Sequence, residues 1–295
     1  MRLVTFQRHG EARLGALVSH PGETLIVDLN KVQPLLPADL LLLLRAGVSV
    51  LERAREALAS AGQDCWIPAS EVTLLAPLPR PGKILCVGHN YKGHLGIGRE
   101  ELPEVPNMFC KTANTVIGPG APIRIPWLTG QVDYEAELMV VIGKTAWQVP
   151  EEAAPDYVAG YTIFNDVSAR DIQKRTSQWL LGKSFDTFGP MGPALVTTDE
   201  VPDPHCLALE LTVNGVPKQR ANTRDLIFSV PFLVSYLSRV MTLEPGDVIA
   251  TGTPAKLPEA ANPQVFLQAG DLVQITIERL GTLENPLAAA SPKKE

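Results

Sequence analysis

The sequence predicts a mixed α+β fold dominated by strands. Three observations carry this. Short apolar runs of strand length recur between Gly, Pro and Asn punctuation. Long helical periodicity is scarce. Asn214-Gly215 falls between two apolar runs, the pattern of a tight hairpin.

Taken in order, Arg2 to Phe6, Leu14 to Val18 and Thr24 to Leu29 read as three strands separated by turn residues. Asp39 to Arg45 and Val48 to Ala61 read as helices, the second closing near Gly62 as a C-cap. Residues 1–74 are therefore expected to form a small packing unit without catalytic residues. Pro77, Pro79 and Pro81 form a stiff connection to a main domain over residues 75–286, and residues 287–295 read as a flexible polar tail.

The main domain opens on a buried-type strand, Lys83 to Gly88. The Gly- and Pro-punctuated segment from His89 to Pro106 reads as a candidate lid or a plain surface loop. Further on, Ser229 and Pro231 begin an amphipathic helix through Phe232, Leu233, Tyr236, Leu237 and Val240. Glu244 to Asp247 turns into a strand ending at Gly252-Thr253-Pro254, and Leu272 to Ile277 is expected to be the last strand.

Asp133 to Gly143 is the stretch with the most chemistry in it. It reads as one strand in which Asp133, Glu135 and Glu137 share a face, because side chains two apart point the same way. Like charges on one face repel, so either a cation compensates them or the strand is an edge with solvated acids. A second stretch favours the cation. Tyr161 to Asp166 reads as a strand with an acid at its end, and Ser168 to Arg175 as a helix start with Ser168 as N-cap and Asp171 three residues on. Three carboxylates without a Cys/His cluster suit a hard ion: Mg²⁺, with Mn²⁺ or Ca²⁺ also possible.

The motifs DYEAELMVVIG, FNDVSARD, QWLLGKSFDTFGPMGP and GDVIATGTP, preceded by KILCVGHNYKGH, resemble the fumarylacetoacetate hydrolase family in order and spacing. The resemblance runs from about Leu75 to about Glu284. The QWLLGKSFDTF block and VFLQAGD look most like the domain-containing branch that includes oxaloacetate keto–enol tautomerases. It implies a β-sandwich roll and a homodimer. It implies Glu135, Glu137 and Asp166 as metal ligands, His94 and Lys183 as catalytic residues, and Arg170, Gln173, Lys183 and Thr253 as substrate-binding residues. Asp133 matches no ligand position and is expected to be outside the ligand set or solvated, and Arg170 and Asp171 could form a local ion pair.

Two departures from the family pattern stand out. The glutamate expected three residues after His94 is Ile97, unless Glu100 or Glu101 substitutes for it, and the glycine-rich continuation of the GTP turn is replaced by Ala255-Lys256-Leu257-Pro258. The first departure favours tautomerisation of a 2-oxo acid, which needs a proton shuttle, over hydrolysis of an acylpyruvate C–C bond, which needs an activated water. A catalytically silent metal-binding scaffold is the alternative from another class.

Composition bounds the rest. A net charge of −6 over 295 residues offers no footprint for nucleic acid, and no apolar run approaches the length of a membrane span. The cysteines Cys65, Cys86, Cys110 and Cys206 form no CxxC pair, which fits reduced thiols in the cytoplasm, or in the mitochondrion if a presequence precedes residue 1.

Overall fold

The computed structural model describes residues 1–20, 22–94 and 102–289. Its strands form a large sheet, a five-stranded sheet and a two-stranded ribbon. The centre of the large sheet is Ala136–Ile142, which is buried along its whole length and lies between Val158–Asn165 and Val248–Ala250. Its near-continuous apolar sequence follows from having both faces covered. Alternation sends Leu138, Val140 and Ile142 into one core, shared with the five-stranded sheet through Leu211 and Ile275 and with the helix Val230–Val240 through Leu233 and Leu237. Met139 and Val141 enter a second core together with Leu3, Leu40, Leu43 and Ala54 of the N-terminal segment. The fold is thus sheet-rich α+β, with two sheets packed across a common core.

The N-terminal strands Arg2–Arg8, Glu11–His20 and Glu23–Asp28 occur where expected. They do not stand apart from the rest. Arg2 and Leu3 pair with Val196 and Leu195, so a continuous sheet and a shared core cross the boundary expected near residue 74. The helices Leu40–Arg45 and Val48–Ser60 follow, the first capped by the Asp39 side chain on the N–H of Leu42. The second ends on Ala61 in an extended conformation rather than on Gly62.

The hairpin is built as read: Ala208–Val213 and Val216–Asn222 are joined through Asn214 and Gly215, both at positive φ (52° and 75°). The helix Val230–Val240 is capped by Ser229, whose side chain accepts from the N–H of Phe232. Further readings need correction. The stretch Asp133 to Ile142 is not one strand, because Val132–Asp133 pairs with Ser168–Ala169 in the ribbon while Ala136–Ile142 lies in the large sheet. Tyr134 and Glu135 form the crossing. Ser168 is in that ribbon and does not cap a helix; Ala169 is the N-cap of the short helix Arg170–Gln173, and the Ser168 hydroxyl donates to the Asp166 carbonyl.

Leu272–Ile277 is not the last strand. Gly281–Ala289 follows and pairs with it and with Ile123–Ile125, so Leu287 to Ala289 are strand rather than tail. Of the proposed lid, residues 95–101 lie outside the described residues, and Ile97, Glu100 and Glu101 with them. Directly after the segment, Asn107–Lys111 is a strand on Ile84–Gly88 that the sequence reading did not place. No helix among the described residues is long and apolar enough to cross a membrane.

Candidate active site

Three ends of chain converge beside the central strand. Glu137 is the second residue of Ala136–Ile142, Glu135 lies in the crossing just before it, and Asp166 directly follows Val158–Asn165. Antiparallel pairing of Ala136 with Asn165 brings these places together, and the N–H of Asp166 donates to the Glu135 carbonyl at 2.9 Å. The result is a cluster in which one carboxylate oxygen from each of Glu135, Glu137 and Asp166 lies within 4.8 Å of the others. All three residues are buried.

Burial of three acids demands compensation. Lys183 Nζ lies 2.6 Å from both Glu135 Oε2 and Asp166 Oδ2, and Lys111 Nζ lies 2.6 Å from Asp166 Oδ1. Arg170 bridges the cluster to Asp133, with Nη2 2.6 Å from Glu135 Oε1 and Nε 2.8 Å from Asp133 Oδ2. Glu137 has no ion-pair partner among the described residues; Oε2 accepts the N–H of Gly252 at 2.8 Å.

The acids titrate accordingly. Burial acts against the charged form of Glu135, but Arg170 and Lys183 outweigh it and hold this carboxyl well below its ordinary range. For Glu137, burial and then the charges of Asp166 and Glu135 push the carboxyl well above its ordinary range, more than Lys183 and the Gly252 N–H can offset. Burial lowers Lys111 despite Asp166, whereas Asp166 and Glu135 more than offset burial at Lys183 and raise it.

Local sequence explains how these groups are held. Gly252 sits at φ +102°, and a Cβ there would meet Asn90 Cβ at 2.9 Å, so a side chain would displace the N–H that supports Glu137. Lys183 ends the short helix Leu180–Lys183, and a Cβ on Gly182 would fall 2.6 Å from the backbone of Gln173. The close approach of these two helices is what brings Lys183 onto the acids. Asn90 ties the surrounding loops together, donating to the carbonyls of Thr251 and Phe228.

His94 lines a small inner chamber together with Glu135, Glu137, Lys183 and Thr253. Its Nδ1 lies 2.7 Å from the Thr253 carbonyl oxygen. A carbonyl only accepts, so Nδ1 carries the proton, and in the neutral ring Nε2 keeps a lone pair. The chamber opens into a cavity of ≈ 600 Å³ whose wall includes Arg170, Gln173 and Lys256. Gln173 Oε1 accepts from Arg170 Nη1 at 3.0 Å, and the Thr253 hydroxyl accepts from Gln219 Nε2 at 2.8 Å.

Among the described residues, those singled out as ligands, catalytic or substrate-binding groups thus lie in or beside one cavity. One side reading fails. Arg170 does not pair with Asp171, whose Oδ1 accepts from the Thr129 hydroxyl at 2.5 Å; it pairs with Asp133 and Glu135. Of the two alternatives for Asp133, it lies outside the three-acid cluster and is buried rather than solvated, accepting from Arg170, Lys256 Nζ at 2.6 Å and Gln264. Sequence reasoning missed Lys111, Gln219 and Lys256 as members of the constellation. Of these only Lys256 carried a signal, being the charged residue where the family pattern has glycine.

Comparison with known proteins bears on the family. Residues 83–288 match the family described as fumarylacetoacetate (FAA) hydrolase, C-terminal. A Xenopus laevis protein named oxaloacetate tautomerase fahd2, mitochondrial, is 44% identical over 97% of this chain and 90% of its own length. The Bacillus subtilis oxaloacetate tautomerase YisK is 47% identical over 74% of each chain. Among solved structures, maleylpyruvate hydrolase from Sphingobium sp. SYK-6 in complex with manganese(II) ion and pyruvate superposes with a TM-score of 0.81 at 32% identity, over 99% of this chain and 100% of the other. The chain belongs to the fumarylacetoacetate hydrolase family.

Proposed function

We propose that this protein catalyses keto–enol tautomerisation of oxaloacetate or a similar 2-oxo acid with the help of a divalent cation, Mg²⁺ in the first instance. The donor set fits such an ion. Three hard carboxylate oxygens converge, burial and the neighbouring acids at Glu137 outweigh the charge of Lys183, and among the described residues no Cys or His enters the cluster. Glu135, Glu137 and Asp166 would hold the ion, which when bound supplies Lewis acidity toward the keto and carboxylate oxygens of the acid.

The chain's own groups do the rest. Lys183, already directed at Glu135 and Asp166, presents an ammonium to the substrate oxygens. Arg170, with Gln173 on its Nη1, and the Thr253 hydroxyl orient the acid from the cavity side. His94, with Nδ1 engaged by the Thr253 carbonyl, offers Nε2 to take the enol proton and deliver it to the neighbouring carbon. The single observation that carries this reading is His94 sharing one inner chamber with Glu135, Glu137 and Lys183. A backbone carbonyl orients the imidazole without adding a second base, and that suits a proton shuttle better than activation of water.

Hydrolysis of an acylpyruvate-type C–C bond is the second reading, favoured by the likeness to maleylpyruvate hydrolase. The proposed assembly is a homodimer, and the proposed compartment is a reducing one, in line with four free cysteines. The experiment follows enol decay and pyruvate release on the same Mg²⁺-loaded preparation. Enol decay well above the metal-only rate with little pyruvate is the expected result; pyruvate appearing as fast as enol decays would replace tautomerase by lyase or hydrolase chemistry. Neither reaction exceeding the metal-only rate would leave the silent scaffold.

A further inference from the structure

The cavity wall carries a cation with no part in the reading above. Lys256 lies two residues after Pro254, in the turn where the family pattern has glycines, and its backbone is anchored on both sides. Gln219 Nε2 donates to the Pro254 carbonyl at 2.7 Å, and the N–H of Leu257 donates to the Lys218 carbonyl at 2.8 Å. Lys256 Nζ lies 4.6 Å from the centre of the Tyr134 ring and 2.6 Å from Asp133 Oδ1, with 15% of the side chain exposed. Such a partly desolvated ammonium is screened far less than one on the surface. Lys174, on the same wall, is exposed and lacks that advantage.

Connectivity puts Lys256 close to the acid cluster. Asp133 shares its carboxylate between Lys256 and Arg170, and Arg170 reaches Glu135 at 2.6 Å. Charge points the same way. Asp133, Glu135, Glu137 and Asp166 are four acids, and the ion pairs around Asp133, Glu135 and Asp166 bring in four cations, Lys111, Lys183, Arg170 and Lys256, none of them paired with Glu137. With all eight ionised the site is neutral, so a bound divalent cation leaves a surplus of two positive charges. A dianion cancels that surplus and a monoanion does not.

We propose that Lys256 is a specificity-determining residue that takes the far carboxylate of a 2-oxo diacid, exchanging Asp133 for it when substrate enters. This rests on the site reading above and adds to it a preference for diacids over monoacids. Arg170 and Gln264 remain on Asp133 when Lys256 turns to the substrate, so the buried carboxylate is not orphaned.

The test is calorimetric binding of malate and lactate to the Mn²⁺-loaded protein. The two ligands share a chelating 2-hydroxy-carboxylate end and differ in the far carboxylate. The wild type is expected to favour malate by about tenfold or more, which corresponds to 1.4 kcal/mol. Lys256→Met keeps the apolar stem over Tyr134 and should reduce the preference to about twofold with lactate affinity unchanged, while Lys256→Arg should preserve it. Survival of the malate preference in Lys256→Met would overturn the proposal. So would equal weakening of both ligands, because a merely structural lysine affects both. If neither ligand bound the loaded wild type, the reading of the site itself would fall, and this inference with it.

Discussion

Two buried acids on neighbouring strands show what distinguishes a structural carboxylate from a functional one here. Asp247, just before the strand Val248–Ala250, is fully provided for. Its Oδ1 accepts the N–H of Lys83 at 2.9 Å, and Oδ2 accepts Lys83 Nζ at 2.6 Å and the N–H of Glu244 at 2.8 Å. Glu137, on the adjacent strand, has one backbone N–H and the charges of two other acids beside it. The first closes a turn. The second carries a cost that a proton or an added cation removes, and that deficit is the structural mark of the site.

The largest expected effect separates the two directly. Glu137→Gln should lower turnover by about 10²–10³-fold or more, the scale of losing a group that stabilises developing charge. It should leave the metal-free protein no less stable, since it replaces an acid that burial already disfavours in its charged form. Thermal unfolding of the stripped variant beside its kcat checks both halves. A fall in stability without loss of turnover would erase the contrast.

Next comes Gly182→Ala. Its Cβ would press on the Gln173 backbone at 2.6 Å and shift Lys183 relative to the acids. Overpacking of this kind costs about 1–3 kcal/mol. A misplaced ammonium should reduce kcat/KM by about ten- to a hundredfold. Parallel unfolding curves and steady-state kinetics would show whether position, rather than folding, accounts for the loss.

These effects bear on how much was legible in the sequence. Glu135 and Glu137 were visible as spaced acids in an apolar run, and Asp166 as an acid at the end of a strand, because each signal is local. The partners were not local. Lys111 meets Asp166 across 55 residues, Gln219 meets Ala136 across 83, and Lys256 meets Asp133 across 123. Such pairings depend on sheet topology, which periodicity does not contain. The break at Tyr134 and Glu135 was hidden for the same reason, since only the ribbon pairing of Asp133 with Ser168 shows that the chain changes sheets there. The sandwich itself was expected from the family resemblance and not from the strand pattern.

A smaller effect concerns pH. The carboxyl of Glu137 is raised above its unfolded range of ~4.3. Its contribution to the stability of the metal-free protein is therefore fully present below that range and is lost as pH rises through the folded value. A divalent ion must displace this proton, so metal affinity should tighten with rising pH by up to about tenfold per unit while the proton is bound. Calorimetry in two buffers of different ionisation heat would count the released proton, and a binding heat independent of the buffer would contradict this reading of Glu137.

The smallest effect on catalysis belongs to the structural partner. Asp247→Ala strands the N–H groups of Lys83 and Glu244, which should destabilise the fold by about 2–4 kcal/mol. Per folded molecule, kcat should stay within about threefold of the wild type. Denaturant unfolding and kinetics normalised to the folded fraction would test it, and a turnover loss matching that of Glu137→Gln would place Asp247 in the site after all.

The central claim is that the three-acid cluster binds one divalent cation on which tautomerisation depends. The direct measurement titrates Mg²⁺ into chelator-stripped protein while bound metal and enol decay are followed together. The expected result is a single equivalent bound, activity rising in proportion to occupancy, and loss of both in Glu137→Gln. Full enol decay by the stripped wild type, or a Glu137→Gln variant that still bound one equivalent and turned over normally, would contradict it.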